Sequence, residues 1–410
     1  MKYYIISGEA SGDLHGSNLI KQLHVLDATA NIRCWGGNLM QHAGSTLVKH
    51  YRELAFMGFA EVIKNLPTIF KNISFCKKDI LGFQPDVLVL IDYPGFNLRI
   101  AEWAKQQGFK IVYYISPQVW AWKANRVKKM KLYIDKMLVI LPFEKNYFKD
   151  VWNWDVEYVG HPLVEVIDNY ELGMLNDKLE QVGSLQQTVD CNGQFTTNNL
   201  PLTISKPIIA LLPGSRQQEI SKKLPVMLAV AKYFPNYQFV IAEAPGLEPE
   251  FYQSFYNNAL ENNISTIQND TYKLLSKATA ALVTSGTATL ETALFKVPEV
   301  VCYKGSKISY QIGKRLIKIK YICLVNLIMD KLVVKELIQN NMTTENLRLE
   351  LSELLANKER QAQIKQDYAN LKALLSLGGN ASEKAAKSIY DFCERIGTRI
   401  IQIKNDNIGF

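Results

Sequence analysis

Val87-Leu88-Val89-Leu90-Ile91-Asp92-Tyr93-Pro94-Gly95-Phe96-Asn97 is the stretch on which the fold turns. Five consecutive aliphatic residues describe a strand buried on both faces, and such strands belong to parallel sheets covered by helices. A carboxylate, a proline and a glycine follow at once, so the strand ends in a tight turn and a helix starts near Phe96. Outward from it, Tyr3–Ser7, Lys110–Ile115 and Lys136–Leu141 read as strands, and residues 14–26 and 97–107 as helices. That rhythm is βαβ, which implies a parallel sheet with right-handed crossovers. It lapses in the polar stretch at about 170–205 and restarts with strands at Pro207–Leu212, Tyr237–Ala242, Ala280–Thr284 and Val300–Tyr303. The expected class is α/β, with two facing, doubly wound, Rossmann-like domains at residues 1–168 and 206–375. Residues 169–205 read as a linker or polar insertion. The helical segment at 344–396 leads into a tail, 376–410, expected to return to the first domain.

The chain has 410 residues, 48% hydrophobic and 21% charged, which suits a globular protein of two or three domains. No run of about 18 apolar residues occurs, so no transmembrane helix is expected, and the apolar start is too short for a signal peptide. The six cysteines contain no CxxC pair and the five histidines are scattered, so neither a disulfide framework nor a metal centre is expected. The net charge of +8 suits an anionic partner without choosing among nucleotide, membrane and nucleic acid. No nucleic-acid-reading motif is present.

In open α/β sheets the ligand sits at the carboxyl ends of the strands, so the loops there are where chemistry is sought. The first is Ser7–Gly16, in which Gly8 and Gly12 admit a close ligand, Glu9 and Ser11 flank it, and a helix start follows. Its spacing is not GxGxxG, and no acid ends a second strand about twenty residues on, against a dinucleotide site. The same loop also reads as a plain turn capped by Asp13 or Ser11. Asp92 sits at the end of the most apolar strand; partial desolvation would raise its pKa and suit it to act as a general base, although a helix cap is the plainer reading. Trp120 and Trp122 lie beside Lys123, Arg126, Lys128, Lys129 and Lys131. They suit a stacked sugar and a phosphate, or equally a core beside a solvated helix face.

Two loops of the second half carry a phosphate signature. Arg216 in Leu212-Pro213-Gly214-Ser215-Arg216 can hold a diphosphate bidentately. Ser285, Gly286 and Thr287 place hydroxyls and free N–H groups at a helix start, with Glu291 a turn further on for a ribose diol. No DxD pair stands near, so a leaving diphosphate would be neutralised by Arg216 and the helix start, with no metal or cofactor expected. A basic amphipathic stretch, with Phe59, Leu66, Ile69, Phe70 and Ile73 among Lys64, Lys71, Lys77 and Lys78, fits an anionic membrane surface or acyl chains, or an ordinary packing helix.

These loops form a set: SGEASGDLHG (7–16), the glycine pair 36–37 with Met40, MGFAEV (57–62), IDYPGFN (91–97), YYISPQVWAWKANRVK (113–128), LPFEK (141–145), YVGHP (158–162), LLPGSRQQEI (211–220), TSGTATLE (284–291) and LVN (324–326). In order and across most of the chain, the set resembles the lipid-A-disaccharide synthase family. The resemblance implies a GT-B glycosyltransferase that joins UDP-2,3-diacylglucosamine to 2,3-diacylglucosamine 1-phosphate with inversion, releases UDP and uses no metal. It further implies work at the cytoplasmic face of the inner membrane, on acylated monosaccharide substrates and an anionic lipid surface. On this resemblance Asp92 is the base, Arg216 holds the diphosphate, Ser285, Gly286, Thr287 and Glu291 form the donor loop, Asn326 lies near the donor, and Gly8, Glu9, Ser11, Gly12 and Trp120 line the cleft. The family commonly has IDAPDF where this chain has IDYPGF; Gly95 replaces the second acid and leaves Asp92 as the only candidate base there. The alternatives are another GT-B UDP-sugar enzyme such as a UDP-N-acetylglucosamine epimerase, an NAD-dependent oxidoreductase, or a non-catalytic module on a membrane. Acyl-chain preference, order of substrate binding and oligomeric state, a homodimer included, stay open.

Overall fold

A computed structural model describes residues 1–53, 66–184, 206–244, 247–255, 263–305 and 320–406. They form two compact units. The first contains Met1–Pro162 and Leu375–Phe410, the second Leu163–Leu374. The first unit thus ends at Pro162 and takes up the chain again from Leu375.

The first unit is built on seven parallel strands: β1 (Lys2–Ser7), β2 (Asn31–Gly36), β3 (Thr46–His50), β4 (Val87–Ile91), β5 (Ile111–Tyr114), β6 (Lys136–Val139) and β7 (Glu157–Tyr158), in the order β3-β2-β1-β4-β5-β6-β7. Every residue of β4 is buried, as its unbroken apolar run requires. The strand order reverses between β1 and β4, which pair in register from Tyr3 opposite Val87 to Ser7 opposite Ile91. Their carboxyl ends are thus the topological switch point of the sheet, the place where open α/β sheets bind ligands.

On one face of the sheet the helix Leu66–Phe83 is pinned by a polar knot. Tyr4 Oη donates to Asp79 Oδ2 at 2.6 Å, Trp35 Nε1 donates to Tyr4 Oη at 2.8 Å, and Arg33 grips both carboxylate oxygens of Asp79 at 2.8 and 2.6 Å. On the other face the C-terminal helix Ala381–Asp406 buries Ala385, Ala386 and Ile389 against Leu19, Ile20 and Leu23 of the helix Ala10–Leu26.

The second unit repeats the plan with six parallel strands: β8 (Ile208–Leu212), β9 (Gln238–Glu243), β10 (Ile264–Gln268), β11 (Ala278–Thr284), β12 (Glu299–Tyr303) and β13 (Lys335–Ile338), in the order β10-β9-β8-β11-β12-β13. Its switch point lies between β8 and β11.

One expectation is corrected. The helix Pro162–Ser184 continues through much of the stretch read as a linker. Leu163, Val164 and Ile167 are buried and Tyr170 packs edge-on against Tyr272 and Phe295, whereas Leu172 and Leu175 are exposed. Good helix formers such as Glu, Leu, Lys and Gln carry it on. The rest of that stretch, 185–205, lies outside the described residues. Among the described residues no helix is long and apolar enough to cross a membrane.

Candidate functional site

The loops after β1 and β4 meet in the first unit. Asp92 and Tyr93 both hold left-handed backbone, at φ 43° and 48°. Two such residues in succession are strained and persist only when their surroundings fix them. Here the fixing is explicit: the Asp92 carbonyl accepts from Asn97 Nδ2 at 2.8 Å and from Tyr113 Oη, and the Asp92 N–H donates to Tyr114 O at 3.2 Å. Buried Asn97 also donates to Ile91 O at 3.2 Å. Gly8 allows the two loops to close up, since a Cβ there would stand 2.4 Å from the Tyr93 ring. Gly12 packs on the Ser7 side chain, Ser11 is exposed, and Glu9 is half-buried near enough to Asp92 to raise its pKa. The Asp92 carboxyl is pushed up to about 7, first by burial and then by the Glu9 charge.

Trp120 lies in the loop after β5. It is half-buried, stands edge-on to Phe143, and donates from Nε1 to Glu144 Oε1 at 3.1 Å. Glu144 also accepts from the N–H groups of Ile140 and Leu141 at 3.3 and 3.0 Å. Burial pushes its pKa up to about 7, and the Asp92 charge adds to the effect. Besides Asp92 and Glu9, the LPFEK segment thus brings a further carboxyl, Glu144, from another loop. Glu144 is fully buried with its oxygens engaged, so it positions Trp120 and the turn at 140–141, and Asp92 remains the half-buried group. Asp13 caps neither its own helix nor a ligand; it accepts from the N–H groups of Gly37, Leu39 and Met40 at 2.7, 3.2 and 3.0 Å and so holds the next helix start.

His15 and His161 are buried near one another, and burial lowers their pKa values to about 4 and about 3. A depressed histidine pKa means that the unfolded chain binds more protons, so native stability is intact above about 6.5 and falls as pH drops toward 4. His15→Met is expected to flatten the loss of thermal stability between pH 7 and pH 5 relative to wild type, by about 1–2 kcal/mol at pH 5. Parallel melting curves check this; identical slopes would refute it. Asp92 and Glu144, with raised pKa values, act in the opposite sense in both proteins, so the difference isolates the histidine.

In the second unit the loops after β8 and β11 meet in the same way. Arg216 is half-exposed at the start of the helix Gln217–Leu228, its Nη1 3.3 Å from Glu219 Oε1. Sequence reasoning missed Lys223. Its side chain is 3% exposed, and its ammonium donates to Thr284 Oγ1 and lies 3.5 Å from Glu219 Oε2. Burial lowers its pKa, and Glu219 opposes the shift. Gly214 sits directly on this group, its Cβ position 3.1 Å from Glu219 Oε2 and 3.5 Å from Lys223 Nζ. Spacing alone could have flagged the lysine, because Glu219 and Lys223 are four apart on a helix that opens at Arg216.

Gly286 adopts φ 152°, ψ −160°, open to glycine alone, and leads into the helix Thr287–Leu294. Thr287 is exposed at that start. Ser285 spends its hydroxyl hydrogen on Ile322 O at 2.9 Å. Glu291 accepts from Tyr272 Oη at 3.1 Å, one oxygen thereby fixed, and burial raises its pKa. Asn326 lies in the helix Leu324–Met329. It is fully buried; its amide donates to Val334 O and Glu336 Oε1 at 2.8 and 3.1 Å and accepts from the N–H groups of Val333 and Val334 at 2.8 and 3.0 Å. With its donors and acceptor engaged it shapes the turn before β13, and it offers a ligand no free polar group.

The residues expected at a membrane divide by face. Ile73 is buried and Ile69 packs against the same core; with Cys76 and Ile80 they form the inward stripe of the helix Leu66–Phe83, spaced four, three and four residues apart. Phe70 and Phe75 are instead 58% and 48% exposed, Phe70 beside the Arg99 guanidinium and Phe75 with its ring also against Trp35, and Leu81 is exposed as well. Phe59, Lys64 and the side chain of Leu66 lie outside the described residues.

Two doubly wound parallel-sheet units, one with a desolvated carboxylate and the other with a phosphate-type cradle at its switch point, define the GT-B class of nucleotide-sugar enzymes. Solved structures agree on the fold. A UDP-GlcNAc 2-epimerase from Neisseria meningitidis bound to UDP-GlcNAc matches with TM-score 0.61 at 15% identity, covering 95% of this chain and 100% of that one. The calicheamicin glycosyltransferase matches with TM-score 0.55 at 14% identity, over 96% and 98% of the two chains. The sequence narrows the class: the model of the lipid-A-disaccharide synthetase family matches residues 3–390. Lipid-A-disaccharide synthases of Coxiella burnetii and Koribacter versatilis are 36% and 32% identical, over 94% and 96% of this chain and 97% and 99% of theirs. The chain belongs to the lipid-A-disaccharide synthase family and is a glycosyltransferase of lipid A synthesis.

Proposed function

We propose that the enzyme transfers 2,3-diacylglucosamine from UDP to the 6-hydroxyl of 2,3-diacylglucosamine 1-phosphate, with inversion and without a metal. The observation that carries this reading is the strained, desolvated Asp92 at one switch point, matched by the Arg216 and Gly286 loops at the other. Asp92 takes the proton of the acceptor hydroxyl as its oxygen attacks the donor anomeric carbon. The bond from that carbon to UDP breaks, and the electron pair leaves on the diphosphate. Arg216, the Thr287 hydroxyl and the N–H groups of the helix start receive that charge. The free oxygen of Glu291 suits a ribose hydroxyl.

Mass spectrometry tests this directly: purified enzyme with the two acylated monosaccharides yields one disaccharide phosphate per UDP. UDP release without disaccharide, or epimerised UDP-sugar, would refute it. Phe70, Phe75 and Leu81, exposed among Lys71 and Lys78, support docking at the anionic inner face of the inner membrane. Phe70→Ser with Phe75→Ser is expected to cut partition onto anionic vesicles about tenfold, a loss of ~1–2 kcal/mol of apolar burial. Unchanged co-sedimentation would sink the membrane reading.

A further inference from the structure

The loop Ser116–Asn125 after β5 separates its two tryptophans. Val119 and Ala121 are buried and Trp120 turns inward onto Glu144, while Trp122 stands 45% exposed. Lys123 Nζ lies 4.3 Å from the centre of the Trp122 ring, and the Arg126 guanidinium carbon lies 5.6 Å from it. Lys123 holds left-handed backbone at φ 56°. Two cations thus share one indole, and among the described residues neither has a carboxylate partner. Desolvation first, and then the nearby Arg126 charge, lower the pKa of Lys123. Lys128, Lys129 and Lys131 on the following helix are exposed, by contrast, and Lys129 approaches Glu102. The position matters as well. Tyr113, whose hydroxyl donates to the Asp92 carbonyl, feels the charges of both Asp92 and Arg126. Arg126 therefore lies within electrostatic reach of the Tyr113 hydroxyl that holds the Asp92 carbonyl.

We propose that Trp122, Lys123 and Arg126 form the subsite for the phosphate-bearing ring of the acceptor. The indole stacks on the apolar face of the sugar, and the two cations bracket its phosphate dianion. The subsite then sets specificity for a phosphorylated acceptor and adds nothing to proton transfer. This inference rests on the acceptor assignment above, and the test keeps the two apart.

Steady-state kinetics are run with 2,3-diacylglucosamine 1-phosphate and with its dephosphorylated counterpart, on wild type, Lys123→Gln/Arg126→Gln, Trp122→Ala and Trp122→Phe. The double variant is expected to raise KM for the phosphorylated acceptor at least tenfold, with kcat within threefold and UDP affinity unchanged. Its preference for the phosphorylated over the dephosphorylated acceptor should collapse. Trp122→Ala should raise KM for both acceptors, and Trp122→Phe should restore most of the loss. Retained preference in the double variant overturns the proposal. A fall in UDP affinity would place these cations on the donor instead, and a KM effect that disappears in detergent solution would make them a membrane contact; either outcome also overturns it. Quenching of tryptophan fluorescence by glucosamine 1-phosphate, and not by glucosamine, is expected in wild type and absent in Trp122→Phe. That readout needs no turnover, so it survives failure of the disaccharide assay; equal quenching by both sugars counts against the proposal.

Discussion

Asp92→Asn is expected to lower disaccharide formation by about 10²–10⁴-fold, the usual contribution of a positioned general base. UDP affinity should stay within twofold, since the donor loops belong to the other unit. The same substitution should raise the melting temperature. A carboxyl whose pKa climbs to about 7 on folding opposes the native state at neutral pH, because folding must either desolvate its charge or bind a proton. Amide replacement removes that opposition; at about 1.4 kcal/mol per tenfold in proton affinity, discounted for the partial exposure of Asp92, the gain is ~1–2 kcal/mol. The sign of the pH dependence follows. Stability from this group declines as pH rises from about 4 through 7, whereas catalysis grows as Asp92 loses its proton. Wild-type kcat/KM should therefore rise with pH and level off above about 7. A variant with a tenth or more of wild-type turnover would rule out Asp92 as the base, and a lower melting temperature would show that the carboxylate is structural.

Legibility in the sequence follows how each residue meets its neighbours. β4 and β8 are unbroken apolar runs, and their ends are within a residue of expectation because burial on both faces leaves no polar position to blur them. The four edge strands β3, β7, β10 and β13 escaped notice because edges are only partly buried, so polar residues are tolerated and the apolar run disappears, as in Thr46-Leu47-Val48-Lys49-His50 and Ile264-Ser265-Thr266-Ile267-Gln268; interior β2 escaped because Asn31, Arg33 and Gly36 interrupt its run. At the site, residues near one another in sequence were readable as loops, and so Gly8 with Glu9, and Gly286 with Thr287, stood out. What joins loops was not. Glu144 reaches Trp120 across 24 positions and Lys223 reaches Thr284 across 61, and no local period encodes either contact. Asn326 has a structural part that its motif does not announce. Its motif resembled a site element, while its hydrogen bonds close a turn of its own neighbourhood.

Arg216→Ala is expected to weaken UDP binding at least tenfold, since a charge-assisted bond to a diphosphate contributes about 1.5–3 kcal/mol. Glu219 makes the test sharper. In the unliganded protein its carboxylate faces two cations, Arg216 at the surface and Lys223 beneath. When Arg216 turns to the diphosphate, Lys223 is left to neutralise Glu219, so Arg216 can leave without stranding a charge. Lys223→Met removes that counterweight. The remaining carboxylate then holds Arg216 more tightly, and UDP affinity should fall although Lys223 itself lies beneath the loop. Glu219→Gln on top of Lys223→Met should restore much of the loss, because no charge is left to retain the arginine. Titration calorimetry with UDP at low and at 0.3 M salt separates the two effects. Loss of Arg216 should flatten the salt dependence, whereas loss of Lys223 should leave Arg216 pairing with phosphate and the dependence intact. If Lys223→Met binds UDP as wild type does, the ammonium is a packing element of the β8–β11 turn and the counterweight model fails; if Arg216→Ala does so, the PGSR loop does not hold the diphosphate.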